Sequence, residues 1–308
     1  MNGRRQKIGK RSLRRPGVIA LALVAALSAQ IVDVHDAQAG DDAPKANAKA
    51  PTKATAKDGE KGGKPAAGAN TSELQSKLQS GQEDSILEAL TVIAEQRNPE
   101  HAPLVAGLLE RGSTGKVLLL ALDTAGRLKS PTLGDRVAPY IRHRNGEVRR
   151  AAVRALVKTQ GPHAAAALRQ ALRSADPFVR NTAASGLGSL GAKDAVEDLF
   201  KALANNVAEA AASIGQLCDA ANCEKLADLL GKAPFDIVTG GLEQALFRPA
   251  SEVPDATKIK IVVRLREVGT NESRRYLGDV RSRWPADASA AVRQALDSAV
   301  KGAPGGQK

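Results

Sequence analysis

From residue 83 onward, apolar side chains recur every three or four positions, in two alternating sets. Ile86, Val117, Val148 and Val179 are evenly spaced along the chain. Leu90, Ala121, Ala152 and Ala183 keep the same interval, as do Ala94, Ala125, Leu156 and Leu187. The period is about 31 residues, close to those of known helical repeats. Within each unit these are positions i, i+4 and i+8, one face of an α-helix. A second set has the same period: Ala106, Val137, Leu168 and Leu199, with Leu109, Tyr140, Ala171 and Ala202. Each unit therefore holds two helices with one apolar face apiece. Two such helices cannot cover both faces alone, so the units must stack.

The period then shortens. Val196, Leu199 and Leu203 match Cys223, Leu226 and Leu230 at a smaller interval, and Ala183 and Leu187 match Ala210 and Ile214 at the same one. Beyond Pro234 the match loosens. Helices are predicted over Phe235–Phe247, Thr257–Val268, Glu272–Arg283 and Asp287–Lys301, with a longer loop from Arg248 to Asp255 and a capping helix over Thr71–Gly81. Turn chemistry supports the register. Asp176-Pro177 places a capping Asp before a Pro at the first helical position. Asn145-Gly146 and Ser113-Thr114 precede the equivalent helices, and Gly112, Gly161 and Gly191 fall near helix ends, where a left-handed residue is wanted.

Composition agrees with an all-α chain. Ala and Leu dominate its 308 residues, and only 2% are aromatic. Ala and Leu favour helices, whereas aromatics favour strands. More than half of the formal charge of +12 falls before Thr71. That placement, with few rings for base stacking, argues against a nucleic-acid partner.

Residues 1–39 read as a signal peptide. Seven Arg and Lys from Arg4 to Arg15 form a basic start, Val18 to Val32 run without a charge, and Ala37-Gln38-Ala39 precedes Gly40. These are the three parts of a secretory signal. The apolar run is short of the roughly 20 residues of a membrane span, so an uncleaved anchor is the weaker reading and no integral span is expected after cleavage. No Cys lies near the cleavage site for lipid attachment, and Arg14-Arg15 leaves a twin-arginine route open. Residues 40–70, rich in Ala, Lys, Pro and Gly, read as a disordered linker. Residues 71–302 are the expected helical domain and 303–308 a loose tail.

The motif Asp176-Pro177-Phe178-Val179-Arg180, followed by Ala183-Ala184, Leu187-Gly188 and Leu190-Gly191, resembles HEAT repeats of the phycobilisome-lyase-like subclass. Glu147-Val148-Arg149-Arg150-Ala151-Ala152 with Ala155-Leu156 is a second good copy, and Val117 to Leu128 a weaker one. The resemblance implies an α-α superhelix, a HEAT/armadillo-like solenoid whose second helices line the concave face. It also implies that Asp176, Arg149 and Arg180 form a structural polar ladder between repeats. It is specific for architecture and nearly silent on activity.

Few constellations could carry chemistry. Cys218 and Cys223 are the only cysteines, and Asp219 to Asn222 are expected to form the turn between them. In an oxidising compartment they favour a disulfide, worth about 2 kcal/mol for so short a loop. A redox pair, half a metal site and two free buried thiols are the alternatives. Redox motifs usually space their cysteines by two residues, and no His or further Cys lies nearby for a metal. Gly186 to Gly191 match G-x-G-x-x-G literally, but on a helix end rather than between strand and helix. Gly112 to Lys116 resemble a phosphate loop only in composition. No His-Glu dipeptide, such as the iron-binding HEAT enzymes use, and no G-x-S-x-G occurs.

The densest charge surrounds Arg142, Arg144, Arg169 and Arg173. Arg142 and Arg173 are one full repeat apart and should stack in one column. The bland reading is a solvated face; the sharper one is a surface for an acidic protein partner. The expected function is an exported, periplasmic or secreted, non-catalytic scaffold without cofactor or metal. A lyase-like or envelope-modifying enzyme and a structural envelope component are the alternatives. If Ala39–Gly40 is the cleavage site, mass spectrometry of the exported protein will find Gly40 at its N-terminus. Intact Met1–Lys308 in the soluble cytoplasm would overturn that address.

Overall fold

In the computed structural model, residues 70–302 are described, apart from Thr114. They belong to the unit Gly63–Lys308. The expected signal, the linker up to Ala69, the tail and half of the Ser113-Thr114 cap lie outside the described residues.

Among the described residues the regular elements are helices, and no strand forms. They run α1 (Thr71–Gln79), α2 (Glu83–Gln96), α3 (Ala102–Arg111), α4 (Gly115–Leu128), α5 (Gly134–Val137), α6 (Gly146–Thr159), α7 (Pro162–Ala171) and α8 (Pro177–Ser189). Then follow α9 (Val196–Ala204), α10 (Glu209–Leu217), α11 (Ala220–Ala227), α12 (Phe235–Leu246), α13 (Asp255–Val268), α14 (Asn271–Arg283) and α15 (Ala290–Lys301). The even helices form one layer. From α2 to α12 each packs on the next, and α14 joins α12 where the Tyr276 hydroxyl donates to the Thr239 carbonyl at 3.0 Å. The odd helices form the second layer, linked where direct packing is thin by pairs such as Lys225–Glu197 at 2.9 Å. Helix α1 caps α2 and α3, as the sequence predicts.

The periodic positions form the core. Leu90, Ala121, Ala152, Ala183 and Ala210 are fully buried on the first helices, and Val137, Leu168, Leu199 and Leu226 on the second. Helices this short are marginal alone. Their stability comes from the continuous contact between units. The second helix of one repeat departs from the pattern. Pro139 lacks an N–H donor, so α5 is a single turn, Gly134–Val137, and continues as the 3₁₀ turn Ala138–Arg142.

One turn joins the two helices of each early unit. Arg97, Lys129, Gln160 and Gly191, one per unit at the end of each first helix, all adopt positive φ. The next residue is extended in the first three, and Pro99, Pro131 and Pro162 then open the second helix. A left-handed residue ends the first helix, and Pro supplies the right φ without losing a needed donor. This corrects the expectation for Gly161. Its φ is −177°, ordinary extended backbone before Pro162, and the left-handed position belongs to Gln160. Gly112 and Gly191 do adopt positive φ, as expected. Asp176 and Asn145 cap their helices by accepting from the amides of Phe178 and Glu147.

Between α10 and α12 the backbones touch. A methyl group on Gly215 would collide with the Gly241 carbonyl, and one on Gly241 with the Ala211 carbonyl. The Gly-rich match on α8 has the same cause. Gly186 faces Val157, Gly188 faces Ser213, and the Ser213 hydroxyl donates to the Ala184 carbonyl at 2.8 Å. These glycines let helices approach.

Helix limits differ slightly from expectation. Pro254 precedes α13, which starts at Asp255 rather than Thr257. Ser289 accepts from the Val292 amide, so α15 begins at Ala290 rather than Asp287. Leu168 and Leu199 are fully buried at equivalent sites in adjacent repeats. Truncating either to Ala should lower unfolding free energy by about 2–5 kcal/mol in urea titrations.

Candidate partner-binding cleft

The four arginines singled out by charge density converge. Arg142 ends the 3₁₀ turn after α5, His143 and Arg144 follow in the loop, and Arg169 lies on α7 with Arg173 just beyond it. All line one cleft of about 770 Å³. The backbone leads there because Asn145 must cap α6, which turns His143 and Arg144 outward across the end of α7. The His143 Nδ1 accepts from the Asn145 amide at 3.1 Å. Tyr140 pins the same turn by donating to the Leu109 carbonyl at 2.8 Å, and burial raises its phenol pKa.

The four are not equivalent. Arg169 donates to Asp198 at 2.7 Å and to Asp194 at 2.8 Å, joining α7 to the next repeat. Hydrogen bonding to Asp198 raises its already high pKa. Arg142 reaches only the neutral Gln170 amide oxygen, at 2.9 Å. Arg144 and Arg173 are exposed, and neither guanidinium has an acidic partner among the described residues. A second cleft of about 530 Å³ shares Arg169, Arg173 and Asp198 and adds Arg180, Lys201 and Asn205. Together the two clefts carry seven cationic side chains and one carboxylate. Guanidinium donors suit carboxylate acceptors in paired geometry.

The ladder between repeats expected of Asp176, Arg149 and Arg180 does not form as such: Asp176 takes part in a link, but the two arginines do not. Arg149 Nη1 donates to the carbonyls of His143 and Arg144 at 2.9 and 3.0 Å. Arg180 Nη1 does the same to Ser174 and Ala175, at 2.8 and 3.1 Å. Each cation thus holds the loop preceding its own helix. The link between repeats is made by Arg150, whose Nε donates to Asp176 at 2.8 Å. That bond, helped by the Phe178 amide, holds the Asp176 carboxyl below its ordinary pKa. Arg150 and Arg154 both lie 5.6 Å from the centre of the half-exposed Phe178 ring.

Cys218 and Cys223 are bonded, with Cα atoms 5.3 Å apart and both residues buried. The connecting turn is shorter than expected. Helix α11 starts at Ala220, because Asp219 caps it by accepting from the Asn222 amide at 2.8 Å. Sequence reasoning missed what surrounds this turn. Arg248 donates to the Cys218 carbonyl at 2.7 Å and to Gly215 at 3.2 Å, and buried Lys258 donates to the Arg248 carbonyl. Burial lowers the Lys258 pKa. Arg248 opens what reads as a longer loop, and no periodic signal marks it.

Among the described residues, no group of three His, Cys, Asp or Glu side chains is placed to hold a metal. Nor is any helix there long and apolar enough to cross a membrane.

These paired, stacked helices are an α-α superhelix. Residues 134–209, from α5 to the start of α10, match the HEAT-repeat family model. Among solved structures it is similar to the complex of CpcE and CpcF of phycocyanin lyase from Nostoc sp. PCC7120. Identity is 17%, coverage 74% of this chain and 99% of that one, and the TM-score 0.41. A designed armadillo repeat protein is 14% identical, covering 75% and 99%, with a TM-score of 0.38. Another, solved with the peptide (KR)4, is 13% identical, covering 76% and 99%, at 0.37. No curated protein matches the chain.

The buried disulfide should be structural. Thiol labelling of the unfolded, non-reduced protein should find no reactive Cys, and two after reduction. Two thiols before reduction would refute the bond.

Proposed function

We propose that this chain is an exported, non-catalytic scaffold that holds an acidic protein partner in the arginine-lined cleft. The carrying observation is the pair Arg144 and Arg173. Both guanidiniums are exposed in a cleft with a strong excess of positive charge, and neither has a carboxylate partner among the described residues. An arginine needed only for folding is normally engaged, as Arg149, Arg180 and Arg248 are on carbonyls. Unengaged cations gathered in one concavity raise local potential and steer an oppositely charged partner.

Export is supported by the tripartite N-terminus and by the Cys218–Cys223 bond, since stable structural disulfides belong to oxidising compartments. After cleavage, residues 40–70 serve as a tether.

Charge reversal tests the reading. Mature wild-type protein on resin should retain a partner from the exported fraction. The double variant Arg144→Glu, Arg173→Glu should lose it, whereas Lys158→Glu, on the other layer, should keep it. Equal retention by the double variant would overturn the assignment.

A further inference from the structure

We infer that the cleft takes an extended acidic segment running along the stack, with carboxylates at every third residue. This rests on the acidic-partner reading and deepens it by fixing the conformation and spacing of the occupant.

Two features carry the inference. First, the two clefts are continuous, because Arg169, Arg173 and Asp198 line both. The surface therefore runs from Arg144, past Arg173, to Lys201, crossing from the turn after α5 over α7 to α9. Second, each of the three repeats offers an available cation to the surface. Arg144 follows the second helix of one unit, Arg173 that of the next, and Lys201 lies on α9 of the third. Lys201 has only a loose contact with Asp198, at 3.8 Å, whose carboxylate is already held by Arg169.

Packed helices lie about 8–10 Å apart. A single small anion cannot reach cations on that spacing together. A polyproline II chain advances about 3.1 Å per residue with about three residues per turn, so every third side chain lies on one face and steps about 9 Å. Acidic residues in that register meet one cation per repeat on one face of the segment. A contiguous acidic block puts its charges about 3.1 Å apart and around all three faces of such a chain, so part of its charge meets none. The cleft linings contain no Phe, Tyr or Trp on which bases could stack, which disfavours single-stranded nucleic acid as the occupant.

Arg169 is a strut in this arrangement. Asp194 and Asp198 hold its guanidinium away from the occupant while it joins the second and third repeats across the floor.

The test uses the mature full chain and labelled twelve-residue peptides. One is four copies of Glu-Pro-Ser, kept extended by its prolines. The other has the same composition with its four Glu contiguous. Fluorescence anisotropy at low salt should show the spaced peptide binding about tenfold or more tightly than the block. Arg173→Glu should abolish that preference, and Lys158→Glu should retain it, which also controls for net charge. Equal binding of the two peptides overturns the spacing and leaves the acidic-partner reading intact. Failure to bind either peptide overturns both. Tighter binding to single-stranded DNA or to vesicles containing phosphatidylserine overturns the peptide assignment in favour of a phosphate-bearing partner.

Discussion

Each helix pair in this chain has an apolar stripe that it cannot cover by itself. Covering that stripe is the constraint on which the rest of the structure depends. Ala121 and Ala152, or Leu168 and Leu199, reach zero exposure only because successive repeats meet there. Stability is accordingly a sum over neighbours rather than the property of one central core. Small residues on the first helices follow from it. At Gly215 and Gly241 the backbones of α10 and α12 come so close that even Cβ atoms would collide. The shorter step between repeats and this close crossing occur together, where the register of the stack changes.

Arginine serves two roles that sequence alone does not separate. One set binds carbonyls left open at loops and helix ends: Arg149, Arg180, Arg248, and Arg293 on Pro285 and Ala286. Such cations satisfy acceptors that the helix ladder cannot. The other set, Arg144 and Arg173, projects without a carboxylate partner among the described residues. Folding uses the first set, whereas the second stays exposed to solvent. Arg169 stands between them: it lines the cleft yet is consumed by Asp194 and Asp198.

The broken repeat carries its own reinforcement. Cys218 and Cys223 fasten the turn between α10 and α11, Arg248 closes over the carbonyls at the end of α10, and Lys258 binds the Arg248 carbonyl in turn. Lys258 also lies 5.7 Å from the centre of the Trp284 ring, which ties the region to the end of α14. Specific polar and covalent contacts thus accompany the departure from the regular period.

Much of this was legible in the chain itself. Two helices per repeat, their buried faces, the caps at Asn145 and Asp176, and the convergence of Arg142, Arg144, Arg169 and Arg173 follow from local periodicity and turn chemistry, which depend on close neighbours or on the equivalent position one repeat away. The left-handed turn at Gln160, the pairing of Asp176 with Arg150, and the engagement of Arg169 by Asp198 did not. The turn is settled by how the two helices of a unit must meet, and each ion pair by which long side chain reaches across to the next unit. A guanidinium can span several ångströms in many directions, so its partner is chosen by packing distance and not by sequence spacing. The same holds for Arg248 and Lys258, whose acceptors are backbone carbonyls and leave no mark in the sequence. Local pattern determined the repeats; only their stacking determined which charges were neutralised and which remained exposed.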